Sequence, residues 1–166
     1  MKIKVRRAKV SDVRQLQDKL FKLYEVQKTL GVKDIAKDND VLCGGSTIEI
    51  GTGFNNPAWH CVVADKDGEL IGFVIGLLEF CSPVAEDLRA VKIHATYLEE
   101  DSLVGPALLT SMWGLMADWA RENGAGHFYA NIHPGNQPSI RAAKKIGFKH
   151  HYTQFYRPLE MEAVEE

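Results

Sequence analysis

The chain has little of what marks several large protein classes. Its three cysteines, Cys43, Cys61 and Cys81, stand 18 and 20 residues apart, with no C-x-x-C pair and no histidine-cysteine knuckle. Neither a disulfide framework nor a zinc site is spelled out. No apolar run reaches 18 residues, so no segment reads as a membrane span. The opening MKIKVRRAKV is basic, but SDVRQLQDKL follows where a secretory leader needs an apolar stretch. An excess of one charge is also missing: 20 Lys+Arg against 22 Asp+Glu give a net charge of -2. A nucleic-acid partner usually leaves a basic excess. These absences lead us to expect a cytoplasmic protein with reduced thiols, no metal, no membrane contact and no nucleic acid.

What is present fits an ordinary globular domain. The 166 residues are 45% hydrophobic and 25% charged, enough to bury a sizeable core. One domain is expected over residues 1–159, followed by an acidic tail at 160–166. The small net charge hides an asymmetry, because residues 1–40 hold 11 basic and 6 acidic side chains and the remainder 9 and 16.

Residues 3–8 alternate apolar and basic, the period of a strand. Ser11 reads as a cap for a helix in which Val13, Leu16, Leu20, Leu23 and Tyr24 recur at helical spacing, ending at Gly31. Residues 32–57 give weak signals, a loop with at most a short helix. Two apolar runs, 59–64 and 69–80, flank the turn DKDG, a hairpin signature. The long second run is expected to be a central strand, with Gly72 and Gly76 marking close approaches. Residues 90–97 read as a further strand with Val91, Ile93 and Ala95 on one face. Gly105 and Pro106 open a helix with a stripe of Ala107, Leu108, Met112, Leu115, Met116 and Trp119, closed by Asn123 and Gly124. A strand over HFYANI, a short helix over 137–146 and a last strand over 148–159 complete the order. Such an order predicts a mixed α+β fold: a mostly antiparallel sheet with helices on its faces.

The chemically loaded part is a strand, a loop, the turn VGPALL and a long helix. A helix start presents unpaired backbone amides that favour an anion such as a phosphate. After it comes NIHPGNQPSIRAAKKIGF, in which Asn136 precedes a short helix ending at Gly147-Phe148. Taken in this order, KIHATY, VGPALL and the segment from Asn136 to Phe148 resemble the GNAT superfamily of acyl-CoA-dependent N-acyltransferases. KIHATY is similar to its Y-V-x-P-x-Y strand end, VGPALL to its G-x-G/A turn, and the third segment to N-x-x-S/A ending in K-x-G-F. The likeness extends over about 59–159, with the first strand and helix fitting by pattern, and implies a splayed parallel strand pair within the sheet.

The resemblance implies an N-acetyltransferase using acetyl-CoA as co-substrate, in which an amine attacks directly within a ternary complex. Carried over by position, the backbone amide at Ile93 polarises the thioester carbonyl, an oxyanion-hole role. Backbone at Ile93, His94 and Ala95 runs along the pantetheine arm. Amides of Ser102, Leu103, Val104, Gly105 and Ala107 hold the pyrophosphate in a turn that includes Pro106, and Asn136 with Ser139 contacts the cofactor further along. The sequence also departs from the family pattern. Ser102 stands where Arg or Gln is usual, Pro106 removes one donor, and Glu99, Glu100 and Asp101 crowd acids before the turn. Ala143 replaces the usual catalytic tyrosine, leaving Tyr152 or Tyr156 as substitute acids. No acid stands at Arg89 or Ala90, so Glu79, on the Phe73, Ile75 and Leu77 face, is the candidate base, at the sheet rim or in the cleft. His94 is the second. His60, His150 and His151 read as half-exposed strand residues.

A second reading follows from these departures: a GNAT-like module that binds a ligand or a partner with weak or no catalysis. A ferredoxin-like regulatory domain would share the α/β content but gives no reason for VGPALL and Asn136 at this separation. The acceptor, a small-molecule or peptide amine, would lie against residues 21–57, and the basic residues of 1–40 would favour an acidic one if they reach the cleft. A homodimer is compatible with the family.

Overall fold

The computed structural model describes residues 2–29, 50–80, 89–99, 105–132 and 134–151. The alternating N-terminal residues form strand β1 (Ile3–Arg7), followed by a 3-10 turn (Val10–Asp12) and helix α1 (Val13–Thr29). Ser11 is not the cap. It lies inside the 3-10 turn, and Asp12 does the capping by accepting the Lys9 N–H at 2.7 Å. An aspartate three residues past the first unpaired amide reaches back to it, which Ser11 is too close to do.

Strands β2 (Trp59–Lys66) and β3 (Glu69–Glu79) form the expected hairpin. Its turn places Asp67 at φ 51° and Gly68 at φ 96°, the left-handed pair that matches the twist of the flanking strands. Strand β4 (Arg89–Leu98), helix α2 (Gly105–Glu122), strand β5 (Ala125–Tyr129) and helix α3 (Gln137–Lys145) follow. Sheet order is β1-β2-β3-β4-β5, antiparallel except for the parallel β4–β5 pair. β5 begins earlier than HFYANI suggests and ends at Tyr129. Residues 148–151 are in no strand, and the rest of the expected last strand lies outside the described residues, as do Tyr152, Tyr156, Ser102, Leu103, Val104, Cys43, Cys81 and the tail.

Alternation along the strands gives the sheet two apolar faces, each roofed by a helix. On one, Leu16 and Leu20 of α1 meet Trp59, Cys61, Val63, Phe73, Ile75 and Ala95. On the other, Leu108, Met112, Met116 and Ala120 of α2 meet Val62, Val74, Val91 and Ile93. Ala107 and Leu115, assigned to the helical stripe, are exposed, because the buried arc turns toward Ala120 instead.

Charges tie the elements together. Arg6 bridges Asp12 at 2.7 Å and Asp65 at 2.8 Å, joining β1, the 3-10 turn and β2. Lys19 is buried on α1 and reaches the Glu99 carboxylate at the end of β4. Burial pulls the Lys19 ammonium down, but the bond to Glu99 and the nearby charges outweigh it, so its pKa lies above the ordinary value.

Candidate active site

The site begins with a miscount between two strands. β3 and β4 pair Ile75 with Ala95, then Gly76 with Ile93, so His94 is an extra residue with no opposite number. It is a β-bulge, a device frequent beside active sites. Ala95 consequently packs on the α1 face while Val91 and Ile93 pack on the α2 face. The expectation of Val91, Ile93 and Ala95 on one face is thus corrected: one inserted residue shifts Ala95 across the sheet. His94 is exposed and Ile93 buried. Opposite the bulge only glycine fits, since a Cβ on Gly76 would lie 2.8 Å from Val91 Cγ1 and 3.0 Å from Met116 Sδ.

Beside the bulge the sheet opens. The parallel ladder between β4 and β5 ends at Lys92 and Tyr129. From Ile93 onward β4 has no strand partner on its β5 side among the described residues, so backbone donors and acceptors there are left to other partners. Residues Ile93, His94 and Ala95 occupy this opening. Helix α2 starts at Gly105 with no acid in its first turn, and its leading amides have no acceptor within the helix. Pro106 and Ala107 are exposed there. Of the three acids before the turn, Glu99 is committed to Lys19 and Glu69 lies 3.8 Å from the same ammonium. Glu100 and Asp101 lie outside the described residues.

Asn136 is buried and caps α3, its side-chain oxygen accepting the Ser139 N–H at 3.2 Å. Asn136 and Ser139 therefore meet at one helix start, with the Asn oxygen already engaged. Ala143 is half-buried and offers no hydroxyl; its carbonyl accepts the Phe148 N–H at 3.0 Å.

Glu79, half-buried at the end of β3, accepts a hydrogen bond from the hydroxyl of Tyr129 on β5. The bond passes over β4, the strand between them. Sequence reasoning missed Tyr129, because nothing local reveals that a third strand lies within reach. The one available signal is a phenol at the end of the short run AGHFY. His60 is another correction: it is 6% exposed, stacked on Trp119 with ring centroids 4.6 Å apart. Burial, helped by the Arg7 charge, pushes its pKa down to about 4. Its Nδ1 has no hydrogen-bond partner among the described residues. His150 and His151 are exposed and lie in no strand. Among the described residues no group of three or more His, Cys, Asp or Glu side chains is placed to hold a metal ion. An open groove lined by Gln15, Asp18, Lys19, Phe21, Lys22 and Glu69 sits at the opposite end of β3 from Glu79, away from the bulge.

An antiparallel sheet whose one parallel pair parts beside a bulge, with a helix starting nearby, is the fold class of GNAT acetyltransferases. The family model for the acetyltransferase (GNAT) domain matches residues 3–149, and the chain belongs to that family. Among solved structures, the aminoglycoside acetyltransferase AAC(6')-Iy in complex with a bisubstrate analogue aligns at TM-score 0.69 and 14% identity, over 96% of this chain and 99% of that one. The ribosomal-protein-alanine N-acetyltransferase of Brucella melitensis biovar Abortus 2308 aligns at 0.68 and 17%, over 96% and 100%. The aminoglycoside 6'-N-acetyltransferase AAC(6')-IG of Acinetobacter haemolyticus aligns at 0.73 and 12%, over 96% and 99%. A search of curated proteins gave no match.

Proposed function

We propose that this chain is an N-acetyltransferase that moves the acetyl group of acetyl-CoA to a primary amine by direct attack in a ternary complex. The observation that carries the reading is the coincidence of bulge and opening: β4 gains its extra residue, His94, two residues past the last β4–β5 rung at Lys92. An acyl donor lying along Ile93, His94 and Ala95 replaces the missing strand, and the Ile93 amide meets the developing oxyanion. The α2 start, Ser102 to Ala107, takes the pyrophosphate. The Lys19–Glu99 pair supports this assignment, since it removes one of the three acids from the diphosphate's surroundings. Asn136 and Ser139 act further along the cofactor.

The amine arrives mostly as ammonium and must lose a proton before attack. Glu79 takes that role in this reading, with His94 as the second candidate base and Tyr152 as the acid for the departing thiolate. The acceptor is a small-molecule or peptide amine. Of the 11 basic residues of the N-terminal 40, Arg6, Lys19 and Lys28 are paired with carboxylates.

Incubation with acetyl-CoA and an amine panel that includes aminoglycosides and a peptide α-amine, followed by thiol release, tests the proposal. Turnover with at least one amine is expected. CoA-dependent thermal stabilisation without any turnover would favour the binding module that Ala143 suggests, and absence of both would discard the assignment.

A further inference from the structure

We propose that Tyr129 is a positioning residue that holds the Glu79 carboxylate over β4 at the mouth of the strand opening, so that Glu79 accepts the proton of the incoming amine. The inference deepens the acetyltransferase reading and rests on it.

The geometry follows from the register. Glu79 pairs with Ala90, and Tyr129 with Lys92, so the two side chains stand diagonally on either side of β4, two residues apart along that strand. Glu79 follows Phe73, Ile75 and Leu77 on the α1 face, where Phe73 and Ile75 are core and Leu77 packs against them. Phe128 packs on the α2 face, which sends its neighbour Tyr129 to the α1 face. The hydroxyl and the carboxylate thus meet on one side of the sheet, at the last rung before Ile93. A glutamate in this position samples several rotamers unless something fixes it, and the phenol donor selects one.

Glu79 also keeps capacity for a proton. Tyr129 bonds Oε2, no cation forms an ion pair with Glu79 among the described residues, and Lys92 is not engaged with it. Oε1 remains to accept from a substrate ammonium or a bridging water. The step then balances. R–NH3+ gives one proton to Glu79, the amine nitrogen bonds the acetyl carbon, and the C–S bond breaks with its electron pair leaving on sulfur. The second nitrogen proton goes to the thiolate and the Glu79 proton to solvent, yielding amide, CoA thiol and one proton.

Thiol-release kinetics of wild type, E79Q, Y129F and the double variant test this, with KM for acetyl-CoA and melting temperature measured on each. E79Q is expected to lower kcat about 100-fold or more, the scale of a positioned base. Y129F is expected to lower kcat about tenfold in the wild-type background and to change it less than twofold in E79Q, with KM for acetyl-CoA and melting temperature unchanged throughout. A merely structural tyrosine would act equally in both backgrounds, and that additive result overturns the proposal. Wild-type kcat in either single variant overturns it as well. E79D is a further check, since a retracted carboxylate loses the phenol: it should match Y129F in direction and gain no further loss from it. Failure of wild type itself to release thiol would instead remove the acetyltransferase reading, and this assignment with it.

Discussion

At the scale of single residues, His60 is a titratable ring in surroundings that accept only its neutral form. Its pKa falls from 6.5 to about 4 on folding, so the unfolded chain binds the proton more readily between those values. Stability from this site is complete above pH 6.5 and lost as pH falls toward 4, by at most about 3 kcal/mol at about 1.4 kcal/mol per unit. H60F keeps the stack on Trp119 and removes the titration. In urea unfolding at pH 7 and at pH 4.5, the variant should lose about 1–3 kcal/mol less than wild type between the two. Lys19 is the opposite case, a charge kept inside by its partner. E99Q leaves that ammonium buried without its main counter-charge and should cost about 1–3 kcal/mol in chemical denaturation. The exposed Arg121–Asp118 pair, broken by D118N, should cost no more than about 0.5 kcal/mol.

Between elements, the Arg6 cluster fastens β1, the 3-10 turn and β2 at one corner. The Arg6 bond holds the Asp12 carboxyl below its ordinary value, with the Lys9 N–H adding to it against burial; the same guanidinium, then the Gly68 N–H, lowers Asp65. Carboxylates depressed on folding stabilise above their unfolded pKa and lose that contribution as pH drops through the folded one. R6Q should therefore raise the pH at which acid unfolding begins and cost about 2–3 kcal/mol at pH 7, read by circular dichroism across a pH series. Gly76→Ala places a methyl against Val91 and Met116 and should cost about 1–3 kcal/mol. Helical and strand periods made most of these elements legible: Leu16 and Leu20 face the core as their spacing says, and DKDG turns where Asp67 and Gly68 stand. The bulge was not legible, because an added residue leaves no pattern of its own within AVKIHATY. The burial of Lys19 was hidden for a different reason. A lysine at helical spacing reads as solvated, and only its meeting with Glu99, 80 positions away, makes burial tolerable.

For the whole molecule, the family was readable because three short motifs occur in order, and Glu79 stood out as an acid closing an apolar strand, whereas its partner Tyr129 did not. Glu79 and Tyr129 are 50 positions apart and meet only once β3, β4 and β5 lie side by side. Binding of acetyl-CoA along β4 and the α2 start should protect amides of residues 93–95 and of the first α2 turn in hydrogen exchange, and leave β1 and β2 changed only by the global gain. At 100 times the dissociation constant that gain is about 2.7 kcal/mol, or roughly 5–10 °C in melting temperature. Removing His94 by a single codon deletion would leave Ile93 opposite Gly76 and Ala95 opposite Ile75, with each later side chain on its present side. Neither core would object. As far as strand register goes, one deletion would restore a regular β3–β4 ladder, so the bulge is an insertion that the packing of the two cores does not require.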